Sequence, residues 1–292
     1  MSEAVVITGA SSGIGREAAL LLARKGFRVL ATARDAARGA ELAVAGGGKI
    51  EVLPLELTDP ESVRECARQI AVRTDRIAAL INNAGSQLRG YMEDITDAEL
   101  RRIFDVNFFG VADFTRAMMP LVRRSGPGTR IAIVTSVGGI MGTHGLGAYC
   151  ATKFALEGLA ECMRLEMAPL GIHVCTVVPG LVKTDIWGRN KSVGTKAERP
   201  EGPNYRFFEE SEKWGEWTLN ASPIRPIHVA EAIYRAVTDP RPRLRYVVGS
   251  RVKLVLALRR HLPGELFDRI FLNSTARRLQ KAVASAPIAA SE

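Results

Sequence analysis

The sequence predicts an α/β chain: one doubly wound parallel sheet of about seven strands, helices on both faces, and a helical lid and C-terminal extension. Two observations carry this. Short, nearly continuous apolar runs alternate with longer amphipathic ones, as parallel strands covered on both faces require. The first apolar run also passes through a glycine-rich turn straight into a helical pattern.

Strands are expected at 4–8, 28–32, 50–57, 77–82, 130–136, 173–179 and 245–249, each an apolar run too short for a helix. Helices are expected between them. Residues 15–26 place Ala18, Leu21 and Leu22 at helical spacing and stop at Gly26. Residues 59–74 open on a Pro-Glu start signal. Residues 97–126 suit a long helix with a break near Pro120, and 147–171 suit another. The stretch 185–224 reads as irregular, being rich in Gly, Pro, Trp and charge. Residues 1–250 are therefore expected to form one catalytic domain with 185–224 as its lid, followed by a basic amphipathic extension over 251–292.

Composition excludes several classes. With 47% hydrophobic and 24% charged residues, the chain is neither disordered nor fibrous. The four cysteines form no C-x-x-C pair, so no metal site is expected and a reducing, cytoplasmic setting is. The opening MSEAVVITGA has no basic stretch ahead of an apolar one, so no signal peptide is expected. Of the net charge of +9, most resides in residues 241–292, which hold eleven Lys/Arg against three Asp/Glu. Such a tail can pack on its own domain, join a subunit interface or lie on an acidic membrane surface. It carries no nucleic-acid-binding module and no aromatic residues of the kind that stack on bases within one, so nucleic acid is not an expected partner.

The turn VVITGASSGIGREAA sets Gly9, Gly13 and Gly15 between strand and helix. Glycines there let the backbone approach a pyrophosphate, and the helix N-terminus presents free N–H groups and the positive end of its dipole. Ser11, Ser12 and Ile14 are candidate contacts in the same turn. At the end of the second strand, LATARD, Ala33 stands where an NAD-selective site usually has a carboxylate, and Arg34 follows. A guanidinium without that carboxylate suits a 2′-phosphate, so NADP(H) is the preferred cofactor and NAD(H) the alternative. The competing reading makes Arg34 a solvated side chain beside a helix-capping Asp35.

Tyr149 and Lys153, in AYCATKF, lie four apart and hence on one helix face. A free phenol ionises near pH 10, and a neighbouring ammonium is expected to lower that value and make Tyr149 a usable acid and base. Ser136, at the end of another strand, can hold a substrate oxygen. The bland reading of the pair is an ordinary helix surface with a snorkelling lysine.

Taken together these motifs resemble the short-chain dehydrogenase/reductase family, whose fold is a Rossmann-type sheet. TGASSGIG (8–15) is similar to its cofactor loop, and NNAG (82–85), with Asn83, Ala84 and Gly85, to the motif closing its fourth strand. The resemblance implies that Asp59 contacts adenine and that Pro179, Gly180, Val182 and Thr184 surround the nicotinamide carboxamide. It implies a catalytic set of Asn107, Ser136, Tyr149 and Lys153. In that set Lys153 also holds the nicotinamide ribose, and Asn107 binds a water that relays protons. The wording around Tyr149 is similar to the 17-beta-hydroxysteroid and retinol dehydrogenase branch. Assembly as a homodimer or homotetramer is a further implication.

Candidates to line the substrate pocket are Ser136, Gly138, Met141, His144, Leu146, Tyr149 and Trp187, mostly apolar and flanking the catalytic residues. His144 can read a distant polar group or simply be a satisfied loop residue. Trp187, Phe207, Phe208, Trp214 and Trp217 suggest a lid or a small helical subdomain. The expected substrate is a hydrophobic secondary alcohol or ketone, steroid-, retinoid- or lipid-like. The rival from another class is a nucleotide-sensing protein that keeps the fold without turnover.

Overall fold

The computed structural model describes residues 3–184 and 191–285. The chain runs β1 (Ala4–Ile7), α1 (Gly13–Arg24), β2 (Arg28–Ala33), α2 (Ala36–Ala45), β3 (Ile50–Pro54), α3 (Pro60–Arg73) and β4 (Ala79–Asn82). It continues with β5 (Gln87–Arg89), α4 (Asp97–Phe104), α5 (Gly110–Ser125), β6 (Arg130–Val134), α6 (Gly147–Met167) and β7 (His173–Pro179). The last part holds β8 (Lys191–Val193), α7 (Tyr205–Asn220), α8 (Pro226–Thr238), β9 (Arg245–Val248), α9 (Ser250–His261) and α10 (Gly264–Ser285).

Seven strands form one sheet in the order β3-β2-β1-β4-β6-β7-β9, every pairing parallel. The chain leaves β1 in one direction and crosses to β4 in the other, so a crevice opens beyond the strand ends where the order reverses. Both faces are covered. Val5 and Ile7 join a core with Ala18, Leu22, Val229 and Ile233 of α1 and α8. Val6, between them, joins the opposite core with Ile70, Phe114, Met118 and Leu156 of α3, α5 and α6. Alternate side chains of one strand thus feed two cores, which is why the strands read as unbroken apolar runs.

Two expectations need correction. The stretch 185–224 is not irregular throughout: α7 occupies Tyr205–Asn220, and β8 pairs with β5 in a separate two-stranded parallel sheet. Trp187 lies outside the described residues. The long helix of 97–126 is interrupted at Asp105–Phe109, where it widens into a π-helical turn, and Pro120 sits inside the continuous α5. The buried face of Phe114, Met118, Leu121 and Val122 holds α5 together across the lost proline N–H. The tail does break at Pro263, but its two helices pack on the domain. Phe267 is buried, and Arg259 donates to the Ile140 carbonyl. Among the described residues no helix is long and apolar enough to cross a membrane.

Candidate active site

The ends of β1, β4, β6 and β7 deliver the site residues to one crevice. At the first of these, Gly9 has a φ of 66°, and a side chain on it would meet Ala84 Cα at 2.7 Å. A Cβ on Gly15 would lie 2.2 Å from the Gly9 carbonyl oxygen. The turn therefore folds only with glycine at these positions. Thr8 fastens it to NNAG, its Oγ1 accepting from the N–H groups of Asn83 and Ala84, both at 3.0 Å. Asn83 Nδ2 donates back to the Thr8 carbonyl at 2.9 Å. No acidic residue stands in the first turn of α1, and Ser12 at its N-cap makes no capping bond, which leaves that end open to an anion.

Gly9, Ser11, Ser12, Gly13, Ile14, Gly15, Arg34, Asn83, Ala84 and Gly85 all line a cavity of about 170 Å³ over this cradle, with Thr184 at its edge. Asp59 does not. It caps α3, accepting the Glu61 N–H at 2.9 Å, while Leu55, Glu56 and Leu57 join the cavity lining. The strand ends at Pro54, so the residues just after it reach the crevice and Asp59 is carried past. Arg34 is 68% exposed and 3.8 Å from Glu56, and Asp35 caps α2 by accepting the Arg38 N–H.

A second cavity, of about 290 Å³, opens from the first. The two share Ile14, Asn83, Gly85, Ser86 and Thr184. Ser136, Gly138, Met141, His144, Leu146, Tyr149, Lys153, Pro179, Gly180 and Val182 line this cleft. Residues that sequence reasoning did not assign to the pocket join them: Gln87 and Arg89 of β5, Ser211, Glu212 and Trp214 of α7, and Phe271 of α10. No local pattern marks these, because each arrives through pairing or packing distant in sequence. Arg89 and Glu212 form a buried ion pair at 2.9 Å. Phe208 is buried, and Trp217 is largely exposed.

Lys153 Nζ donates to the Val134 carbonyl at 3.1 Å and lies 5.8 Å from the centre of the Tyr149 ring. The lysine is buried, and desolvation pulls it down to about 8, against the attraction of Glu157 one turn along α6. Tyr149 borders the cleft, yet the protein packed around it pushes its phenol up to about 12, with a hydrogen bond from Ser136 pulling the other way. The expected lowering of Tyr149 by Lys153 is thus absent in the protein alone: desolvation raises the phenol, and the hydrogen bond from Ser136 does not offset it. Ser136 Oγ accepts the Gly138 N–H at 3.1 Å and keeps its proton for another acceptor.

Asn107 occupies the π-helical turn and is fully buried. Its Nδ2 donates to the Ser86 carbonyl at 2.9 Å and to Thr152 Oγ1 at 3.1 Å, and its Oδ1 accepts the Ser86 N–H at 2.8 Å. A Cβ on Gly85 would lie 3.3 Å from Asn107 Oδ1 and 3.5 Å from Lys153 Nζ, so the two groups flank that glycine. The asparagine side chain is therefore spent on fixing the loop after NNAG against α6.

Comparison with known proteins agrees with this geometry. The pattern of the short chain dehydrogenase family matches residues 3–193. The uncharacterized oxidoreductase YusZ of Bacillus subtilis is 33% identical over 275 residues, covering 91% of this chain and 95% of its own. Human 17-beta-hydroxysteroid dehydrogenase type 1 is 33% identical over 267 residues, covering 87% and 80%. The crystal structure of a short-chain dehydrogenase from Streptomyces avermitilis superimposes with a TM-score of 0.78 at 32% identity, covering 95% of this chain and 99% of that one. The chain belongs to the short-chain dehydrogenase family and is an oxidoreductase of it.

Proposed function

We propose that this oxidoreductase interconverts an apolar secondary alcohol and its ketone with NADP(H), using Tyr149 as the proton donor and acceptor. The observation that carries the reading is that the two cavities adjoin: the glycine cradle shares Ile14, Asn83, Gly85, Ser86 and Thr184 with the cleft that holds Ser136, Tyr149 and Lys153. The cradle suits a dinucleotide, because Gly9 and Gly15 let the turn close tightly against Ala84 and its own backbone and leave the N-terminus of α1 open to an anion. The bound nicotinamide supplies or accepts the hydride. Every other task falls to the chain.

Tyr149 is neutral at pH 7 and so stands ready to protonate a ketone oxygen. Ser136 offers its hydroxyl proton to the same oxygen and stabilises the charge that develops there. Lys153 is still mostly protonated at pH 7 and brings a cation beside the phenol as it gives up its proton. Asn107 holds the Ser86 loop and Thr152 in place around them. The mostly apolar lining favours a steroid-, retinoid- or lipid-like substrate. Arg34 at the end of β2, with Ala33 before it, supports the phosphorylated cofactor.

A ketone panel assayed with NADPH and NADH tests the reading, beside a Tyr149→Phe variant. Loss of about a hundredfold or more in turnover, with NADPH binding retained, is expected of that variant. Wild-type protein that binds NADPH and turns over no ketone would instead favour a sensor.

A further inference from the structure

Two side chains of the cleft wall meet where α7 passes the loop before α6. The rings of His144 and Trp214 lie 5.2 Å apart at 33°. The pair stands between the substrate cleft and another cavity of about 200 Å³ beneath α10, and both residues line both spaces. His144 Nε2 and Trp214 Nε1 are buried, and neither has a hydrogen-bond partner among the described residues. Buried polar atoms are seldom left so, which makes a ligand the natural question.

The proton positions follow from the neighbours. Ser211 Oγ lies 2.8 Å from the Phe207 carbonyl, which can only accept, so the serine proton goes there. The same oxygen lies 3.0 Å from His144 Nδ1, and that nitrogen must then carry the proton of this bond. Tyr91, at 3.3 Å, donates to Ser211 as well. His144 is kept neutral by burial, so Nε2 presents a bare lone pair. Trp214 Nε1 can only donate. One acceptor and one donor without partners therefore belong to two neighbouring rings of the cleft wall.

We propose that His144 and Trp214 form a subsite for a hydroxyl group that the substrate carries in addition to its reacting oxygen, the hydroxyl donating to His144 Nε2 and accepting from Trp214 Nε1. A hydroxyl is the small neutral group that answers both at once. A ketone oxygen would leave Nε2 unmatched, and a carboxylate would meet the Glu212 carboxylate in the same wall. The substrate is thereby an apolar hydroxy-ketone or diol rather than a plain ketone. This deepens the reading above and rests on it for the reacting end only.

The test uses the full chain with NADPH and a graded series of ω-hydroxy methyl ketones, each beside its parent methyl ketone. At one chain length the hydroxy compound is expected to exceed its parent in kcat/KM by about tenfold or more, because a polar pair left unmatched discriminates strongly. That ratio falls to about one in Trp214→Phe and in His144→Phe, whatever each variant does to the parent ketone. Thermal shift with the same pairs in the presence of NADPH gives a readout independent of turnover. A ratio at or below one at every length in wild-type protein overturns the subsite and leaves ketone reduction standing. A ratio that survives both substitutions overturns it too. If neither ketone is reduced but the hydroxy compound alone raises the wild-type melting temperature, the subsite stands and the proposed reaction falls.

Discussion

Arg34 Nη1 and Glu56 Oε2 face each other at 3.8 Å in the lining of the cradle, the one following β2 and the other following β3. Both side chains are well exposed, so the pair itself stabilises little. Its consequence is for cofactor choice. A 2′-phosphate arriving beside Arg34 competes with Glu56 for the guanidinium and is repelled by the carboxylate. Arg34→Ala is expected to raise the KM for NADPH by about tenfold and leave that for NADH nearly unchanged. Glu56→Gln is expected to lower the KM for NADPH by a few-fold, on the order of one lost like-charge contact. Initial rates with both cofactors check the two variants, and an Arg34→Ala protein with an unaltered NADPH/NADH ratio would remove the role.

Lys153 carries a prediction about stability and pH. Its ordinary value of 10.5 falls to about 8 in the folded chain. Between those values the unfolded chain binds more protons than the folded one, so this group makes stability rise with pH across that window. Below about 8 the folded protein bears the full penalty of the buried cation. Tyr149 acts oppositely and later: its phenol rises from 10.0 to about 12, so its contribution is lost only above about pH 10. Lys153→Met should therefore melt above wild type at pH 7 by about 2–6 °C while losing turnover. The gap should begin to narrow above about pH 8 and close only towards about pH 10.5. Calorimetry at several pH values follows it, and a gap independent of pH would mean that packing, not charge, sets it.

Asn107 is predicted to matter as a structural joint. Its amide makes bonds to both backbone groups of Ser86 and to Thr152. Asn107→Ala strands those groups in a buried place, at a cost of about 2–4 kcal/mol. Denaturant unfolding should show that loss, with weaker NADPH binding as the loop after NNAG loosens. Stability within about 0.5 kcal/mol of wild type would contradict the assignment.

The strands, and the shared helix face of Tyr149 and Lys153, were legible in the sequence for one reason: local pattern specifies both. Val5, Val6 and Ile7 are buried on two faces, so β1 reads as an unbroken apolar run. Spacing alone puts Tyr149 and Lys153 on one face of α6. What local pattern does not contain is what long-range packing decides. Strands β5 and β8 are three residues each and exist only by pairing across about a hundred positions. Arg89 and Trp214 reach the cleft from elements whose docking no motif announces. The π-helical turn at Asn107 is a response to its surroundings, as Gly110 shows: a Cβ there would lie 2.6 Å from the Leu57 carbonyl. The direction of the Tyr149 shift is of the same kind, since spacing brings Lys153 near but desolvation is a property of the finished fold. The place of Asp59 is of the same kind: β3 ends at Pro54, Asp59 goes on to cap α3, and Glu56 lines the cradle.

The tail gives the last prediction, and the argument turns on where Phe271 goes. Helix α10 lies against α7, and Phe271 reaches past it into the lining of the substrate cleft. Phe267 is buried one turn earlier and stacks on Phe271 with ring centres 5.4 Å apart. Val252 of α9 packs over Gly180 so closely that a Cβ there would meet it at 2.5 Å. The basic segment is thus part of the pocket wall as well as a charged surface. Ending the chain after Leu262 removes Phe267 and Phe271 together. It should lower kcat/KM for large apolar ketones by about tenfold, the scale of one buried aromatic contact withdrawn from a ligand. Small ketones that do not reach α10 should lose far less. Phe271→Ala should reproduce the selectivity change without the truncation. The comparison of large with small ketones is the measurement, because a tail that served only as a surface for partners or lipid would leave their ratio unchanged.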